Sequence, residues 1–302
     1  IDEQHRFGVE QRARLRAKGG APHTLHLTAT PIPRTLAQTL LAGLDISSID
    51  ELPPGRTPIE SFVLRASRLP RAYAFIREEV ERRRRQAYVV CAAIESDDEE
   101  GSELVGAVEE AARLASGPLE GLRLGLLHGR MKSALKDRTM RAFVAGEIDV
   151  LVATTVVEVG VDVPNANVML VLDAHRYGLA QLHQLRGRVG RGAAASYCLL
   201  VHPDAIEQSA RLETLLATSD GFEIAERDLE LRGGGQIGGI LQSGHQGMRF
   251  GDPLADRTLF LAASQCAREI HELDPALLLS EHRGLKDALL AEPNLRDLQL
   301  SS

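Results

Sequence analysis

From residue 59 to residue 201, short apolar runs recur along the chain: "IESFVL" (59–64), "AYVVCAAI" (87–94), "LRLGLLH" (122–128), "DVLVATT" (149–155), "VMLVL" (168–172) and "SYCLLV" (196–201). Between them lie amphipathic stretches with helical spacing, over 68–85, 102–115, 132–145 and 178–186. A run that is apolar at nearly every position, not at every second one, belongs to a strand covered on both faces. Parallel strands joined by helical crossovers meet that demand. The pattern predicts a doubly wound α/β domain, a parallel sheet with helices on both faces, spanning about 55–203.

The flanks follow other patterns. "TLHLTAT" (24–30) predicts a short buried strand, and "PRTLAQTLLAG" (33–43) a helix closed by Gly43. "DELPPGRTP" (50–58), rich in Pro and Gly, is the best candidate for a linker. The chain therefore divides into a first piece (1–50), a linker (51–58), the α/β domain (59–203) and a mostly helical C-terminal part (204–302). Residues 1–50 are too few to bury a core of their own and should be poorly ordered or docked on a neighbour. Within the last part, "LRGGGQIGGILQSGHQG" (231–247) has seven glycines in 17 residues, which predicts an extended or loop segment.

Charge changes the picture only when it is localised. A net charge of −7 taken whole disfavours a polyanionic partner, but residues 95–110 carry −8 of it and no Lys or Arg, which leaves +1 for the rest of the chain. Local basic clusters therefore matter more than the total. "RRRR" (82–85) reads as the solvated end of a helix. Trp is absent and aromatics are 4%, which argues against a stacking platform for single strands. No apolar run approaches the roughly 20 residues of a membrane helix. Cys91, Cys198 and Cys266 are far apart in sequence and read as reduced core residues of a cytosolic protein.

The candidate chemistry centres on "QLRGRVGRG" (184–192), with Arg186, Arg188 and Arg191 set among glycines. A guanidinium presents a fork of donors that matches phosphate oxygens, and neighbouring glycines leave the approach clear. Parallel sheets place ligands at the carboxyl ends of their strands. "HGRM" (128–131), "TTVVEVGVDVP" (154–164) and the arginine motif are expected to converge on one such rim as a phosphate-handling surface. "DEQH" (2–5) adds carboxylates: one can hold magnesium through water while its neighbour orients the attacking water.

Taken together, these stretches resemble the superfamily 2 helicases: "DEQH" motif II, "TAT" (28–30) motif III, "TTVVEVGVDVP" motif V and "QLRGRVGR" motif VI. Within that superfamily "IDEQHRFGVEQR", "TATPIPRTLA", "IDELPPGRTPI", "EVGVDVPNA" and "RDLELRG" are similar to the RecG-type DNA helicases, which reverse replication forks and migrate branched junctions. The resemblance covers nearly all of residues 1–272. It implies a RecA-like second motor lobe, followed by a helical hairpin and a glycine-rich return loop.

What the resemblance implies can be carried over residue by residue. Asp2 and Glu3 fall at the magnesium and water positions, and Gln184, Arg188 and Arg191 at the γ-phosphate. Gly160 and Asp162 fall near the nucleotide's ribose. His128, Gly129, Thr154 and Thr155 fall where the lobe meets the DNA backbone. His5, Thr28 and Thr30 match coupling positions of motifs II and III, and Arg211, Arg232 and Gln242 those of the translocation hairpin and loop. The chain departs from the family at "RGGG" (232–235), where RGPG is usual, and at "GILQSG" (239–244), where a Thr-Arg pair normally precedes QSG. "CAAIES" (91–96) lacks the usual proline after its cysteine.

The implied partners are ATP with Mg2+, and branched or forked DNA held by sequence-independent backbone contacts. A first motor lobe and a junction-splitting wedge domain from the same protein complete the set, in a bacterial, cytoplasmic, nucleoid-associated setting with no membrane. No GxxxxGK[ST] occurs in the 302 residues, so the chain is expected to be the C-terminal part of a longer helicase and inactive alone. The transcription-repair coupling factor shares the motor but lacks "LPPGR" and carries a further domain. Only 58 residues follow Gly244, too few for that domain. A non-catalytic nucleic-acid-binding or regulatory module has no need of a γ-phosphate clamp.

Overall fold

The computed structural model describes residues 23–25, 27, 28, 47, 49, 57–91, 102–154, 161–205, 209–232 and 256–291. Its sheet comprises β1 (Ile59–Arg65), β2 (Gln86–Val90), β3 (Leu124–Leu127), β4 (Val150–Ala153), β5 (Ala166–Val171) and β6 (Ser196–His202). Every pairing is parallel, and the strand order is β1-β6-β5-β2-β4-β3. The central strands β5, β2 and β4 are buried at every position, whereas β1 and β3 are edge strands with partly exposed residues. That difference is the physical origin of the continuous apolar runs.

Because side chains alternate across a strand, each run fills two cores. Ala87, Val89, Val150, Val152, Val168, Leu170, Leu199 and Val201 pack with Ile76 and Val80 of α1 (Leu69–Glu81) and Leu114 of α2 (Ser102–Ala115). Their neighbours Tyr88, Val90, Leu151, Ala153, Met169, Val171, Cys198 and Leu200 pack on the opposite face. There they meet Phe143 of α3 (Ser133–Val144) and Leu179, Leu182 and Leu185 of α4 (Leu179–Arg186). The doubly wound architecture expected from the runs is the one observed, that of a RecA-like lobe.

The second core does not stop at 203. Helices α5 (Ala210–Ala217) and α6 (Gly221–Arg232) form a hairpin, and Leu212, Leu215 and Ile224 join the same cluster as α4. Three residues connect the two helices. Thr218 Oγ1 accepts the Asp220 amide at 3.0 Å, and Asp220 Oδ1 accepts the Phe222 amide at 2.8 Å. The chain divides into two compact units, one carrying the sheet with α1–α6 and the other α7 (Arg257–Leu273) and α8 (Arg283–Ala291).

In the second unit Asp274 organises the turn between the two helices. Its carboxylate accepts the amides of Leu278 and Leu279 at 2.8 and 2.9 Å and pairs with His282 Nδ1 at 2.9 Å. Those two amides, and then the imidazole, hold its carboxyl down to about 2.

Two expectations are modified. Cys91 and Cys198 are buried, but Cys266 is exposed on α7. Of the strand expected at 24–30, Leu25 and Leu27 are 72% and 51% exposed, because no sheet covers them among the described residues. Among the described residues no helix is long and apolar enough to cross a membrane.

A surface pair gives a pH test of the amino end of the sheet. Asp149 accepts the backbone amide and the Nε of Arg123 at 2.9 and 3.0 Å. Burial alone would raise its carboxyl, but the bonds and charge of Arg123 outweigh that and lower it. A depressed carboxylate contributes stability above its unfolded value of about 3.9, and that stability is lost as pH falls through the lower folded value. Asp149→Asn is expected to cost about 0.5–1 kcal/mol at pH 7 and nothing at the acid extreme, since its partner Arg123 is exposed and the pair is screened by solvent. Urea midpoints of the two proteins that stay apart below pH 2 would contradict this.

Candidate nucleotide and nucleic-acid surfaces

The arginine loop is placed by the crossover that precedes it. Helix α4 returns from the carboxyl ends of the strands to their amino ends, as a parallel connection requires. The loop 187–195 therefore opens beside the start of β6, and its neighbours confirm the position. Thr57 Oγ1 donates to the Ala194 carbonyl at 3.2 Å, and Asn167 Nδ2, at the start of β5, donates to the Ala195 carbonyl at 3.1 Å. Asn167 is itself held by the buried Glu79 at 2.8 Å.

Two glycines make this packing possible. Gly190 has φ +76°, and a Cβ there would lie 2.7 Å from Ile59 Cγ1. A Cβ on Gly192 would sit 2.5 Å from the Pro164 carbonyl oxygen.

On this scaffold Arg191 is solvent-facing. Its Nε donates to the Gly187 carbonyl at 3.3 Å, and its Nη1 pairs with Asp162 Oδ1 at 3.5 Å. Arg188 is half-buried. Beneath them Tyr88 is buried, and burial pushes its phenol up to about 12 against the opposing pull of Arg188 and Arg191, with Asp162 adding to the rise. All three charged groups thus lie within electrostatic reach of one phenol. Gln184 sits half-buried in the last turn of α4.

His128, Gly129 and Thr154 lie at the other rim, beyond the carboxyl ends of β3 and β4. The expectation of one shared rim is corrected: a helix that crosses back delivers its C-terminal loop to the amino ends, so the motifs build two surfaces. At the carboxyl rim the His128 imidazole is held toward its neutral form, first by burial and then by Lys136 and Arg130. Its Nδ1 is buried without a hydrogen-bond partner among the described residues. Lys136 Nζ donates to the Gly129 carbonyl, and Arg130 and Lys132 add exposed cations. Thr154 is 2% exposed, with its amide bonded to the Leu127 carbonyl at 3.1 Å.

Other expected positions fall elsewhere. Arg211 is half-buried in the first turn of α5, Arg232 closes α6, and Thr28 is exposed. Asp2, Glu3, His5, Thr30, Thr155, Gly160 and Gln242 lie outside the described residues, as does the side chain of Arg232. Among the described residues no group of three or more acidic, His or Cys side chains is placed to hold a metal ion.

Arg186, grouped by sequence with the anion-gripping arginines, has another task. It is 5% exposed, and its Nη1 donates to the carbonyls of Leu215 and Thr218 at 2.6 and 3.0 Å. Burial lowers its pKa. A helical spacing was the available signal: Leu179, Leu182 and Arg186 stand at i, i+3 and i+7, on the apolar side of α4.

The helicase conserved C-terminal domain matches residues 71–193, and the C-terminal domain 3 of the ATP-dependent DNA helicase RecG matches residues 218–291. RecG of Synechocystis sp. is 49% identical over 96% of this chain, and RecG of Bacillus subtilis 44% identical over 96%. The chain spans 34% and 42% of those relatives' lengths. A solved structure of RecG bound to a three-way DNA junction superposes with a TM-score of 0.64 at 42% identity, covering 86% of this chain and 33% of that one. Homologous to these proteins over most of its length, and sharing their lobe and the domain that follows it, the chain belongs to the RecG family of ATP-dependent DNA helicases.

Proposed function

We propose that the chain forms the second motor lobe and the transmission elements of an ATP-dependent enzyme that translocates on branched DNA and reverses stalled forks. The observation that carries this reading is the pair Arg188 and Arg191 on a loop fixed by Thr57, Asn167 and Gly192, with Asp162 of the preceding crossover paired to Arg191. Two guanidiniums on one loop, with Arg191 facing solvent, suit a polyphosphate, so the donor set fits ATP. Arg188 and Arg191 would hold its terminal phosphate, with Gln184 beside them and Asp162 with Gly160 nearer the ribose. Magnesium belongs with Asp2, and water activation with Glu3.

Bound ATP supplies a phosphoryl group whose transfer develops charge that guanidiniums can stabilise. The residues of this chain would contribute guanidinium donors carried on a packed loop, with Arg191 exchanging its contact with Asp162 for the phosphate. At the opposite rim His128 and Gly129, flanked by Arg130, Lys132 and Lys136 and backed by the buried Thr154, would track phosphates without reading bases, and by its motif Thr155 would join them. The solved junction complex of RecG supports branched DNA as the substrate. Arg211, Arg232 and Gln242 would pass the motion of the lobe to the DNA, outside the chemistry.

The test uses two proteins. The natural full-length protein is expected to hydrolyse ATP with stimulation by forked DNA, and to bind that DNA more weakly as salt rises. Residues 1–302 alone, which contain no GxxxxGK[ST], should release no phosphate above background. Release by the 302-residue chain, with or without forked DNA, would sink this reading.

A further inference from the structure

A buried acid lies behind the arginine loop. Glu79, two residues before the end of α1, is 1% exposed. Its Oε2 accepts Asn167 Nδ2 at 2.8 Å, and the same Nδ2 donates at 3.1 Å to the carbonyl of Ala195, the last residue of the loop. Both neighbours are acceptors, so only the NH2 of Asn167 can stand between them, with one hydrogen for each. Arg83 Nη1 approaches Glu79 Oε1 at 3.1 Å as an ion pair, outside hydrogen-bond geometry. Asn167 Oδ1 has no hydrogen-bond partner among the described residues.

Packing does not account for this arrangement. Ile76 and Val80 already seat α1 on the sheet, and buried oxygens left without hydrogen bonds are a cost that an apolar pair would avoid. What the polar pair fixes is one carbonyl. From the helix side, the Arg188 and Val189 amides bond the Leu185 and Arg186 carbonyls at 3.0 and 3.3 Å, which places Arg188. From the strand side, Thr57 and Asn167 hold the Ala194 and Ala195 carbonyls. Arg191 lies between these anchors, with Gly190 before it and Gly192 after it. Glycines leave the backbone permissive, and the contact of Arg191 with Asp162 is the one a phosphate would replace. The direction of Arg191 toward a nucleotide therefore depends on the strand-side anchor.

We propose that Glu79 is a positioning residue for phosphoryl transfer: by orienting the Asn167 amide it fixes the Ala195 carbonyl, and with it the reach of Arg191. This rests on the motor reading above. Buried behind the loop, Glu79 acts through Asn167 and touches no substrate.

Glu79→Ala and Glu79→Gln in the full-length protein, each alone and combined with Arg191→Lys, test the assignment. Three quantities are measured: kcat and KM for DNA-stimulated ATP hydrolysis, and amide exchange of residues 190–195. In Glu79→Ala, kcat should fall by about 10- to 100-fold, the effect of a misplaced catalytic group, while KM stays within about threefold of wild type. Amides 190–195 should exchange faster there, and those of β5 should not. Glu79→Gln keeps an oxygen that can accept from Asn167, and should bring kcat back to within about threefold of wild type. With Arg191→Lys in place the planar fork is gone, so adding Glu79→Ala should lower kcat by less than about threefold. If Glu79→Ala fails to fold, Asn167→Ser should show the same split between kcat and KM and the same loss of additivity.

Wild-type turnover in Glu79→Ala, an equally large loss in Glu79→Gln, or an undiminished further loss on top of Arg191→Lys overturns the role of Glu79 and leaves the motor reading standing. Absence of hydrolysis in the wild-type protein itself overturns the motor reading and this one with it.

Discussion

Arg191→Ala in the full-length protein is expected to lower ATP turnover by about 10³–10⁵, the range over which a guanidinium stabilises the charge of phosphoryl transfer. The loss should fall on kcat. An interaction that strengthens in the transition state contributes less to ground-state affinity, so nucleotide and DNA affinities should change by less than about tenfold, roughly 1.4 kcal/mol. The structure sharpens the expectation. Arg191 is solvent-facing, and its partners are one carboxylate at 3.5 Å and one backbone carbonyl at 3.3 Å. Neither is a bond whose loss unfolds a lobe, so the variant should melt close to wild type. Arg191→Lys should restore charge but not the planar fork, and recover only part of the rate. Near-normal turnover in the alanine variant would return Arg191 to the class of solvated loop arginines.

Phe143→Ala should be the most damaging core substitution on the α3 side of the sheet. The ring is fully buried and meets Tyr88 edge-on at 4.9 Å and 61°. Truncation removes its apolar contacts and leaves a cavity between α3 and the sheet, at a cost of about 3–5 kcal/mol. About 0.5–1.5 kcal/mol of that belongs to the aromatic pair. For a domain whose whole stability is about 5–15 kcal/mol, much of the margin disappears. The carbonyl of the same residue accepts Gln86 Nε2 at 2.6 Å, a bond that survives the change and keeps α3 docked. Denaturant midpoints at unchanged slope would measure the loss; a shift worth less than about 1 kcal/mol would mean that the ring is not packed as described.

The strands were legible because burial on both faces leaves a plain mark. "DVLVATT" has polar residues only at its ends and "VMLVL" has none, and β4 and β5 lie within them or overlap them. Helix α4 begins within a residue of its expected start, where the Gln181 side chain accepts the Gly178 amide at 3.2 Å and holds the first turn. The edge of the core was harder to read. Helices α5 and α6 look like a separate appendage in sequence, and only packing shows Leu212, Leu215 and Ile224 inside the lobe.

The candidate site was legible in its residue types and misjudged in its layout. Arg188, Arg191 and Asp162 could be picked out by motif, but their rim depends on the direction of a helix, which spacing does not report. The supports of the arginine loop, Thr57, Asn167 and Glu79, left no signal. Each is an ordinary polar residue until its partner, many residues away in sequence, is brought beside it.

The edge strand β1 pairs only with β6 among the described strands, from Ile59 with Ser196 to Arg65 with His202. Bonds at the same offset of 137 residues lock both ends, Thr57 to Ala194 and Ser67 to Asp204. Of the described strands, β1 is therefore made first on the ribosome and its neighbour β6 last. At 5–20 residues per second the interval is on the order of ten seconds, during which the amides of β1 face no native partner. Such an edge invites pairing with another nascent chain. Synthesis that stalls before Ser196 leaves an orphan strand prone to aggregation, whereas a chain that has reached Asp204 can fasten the lobe at both ends of β1.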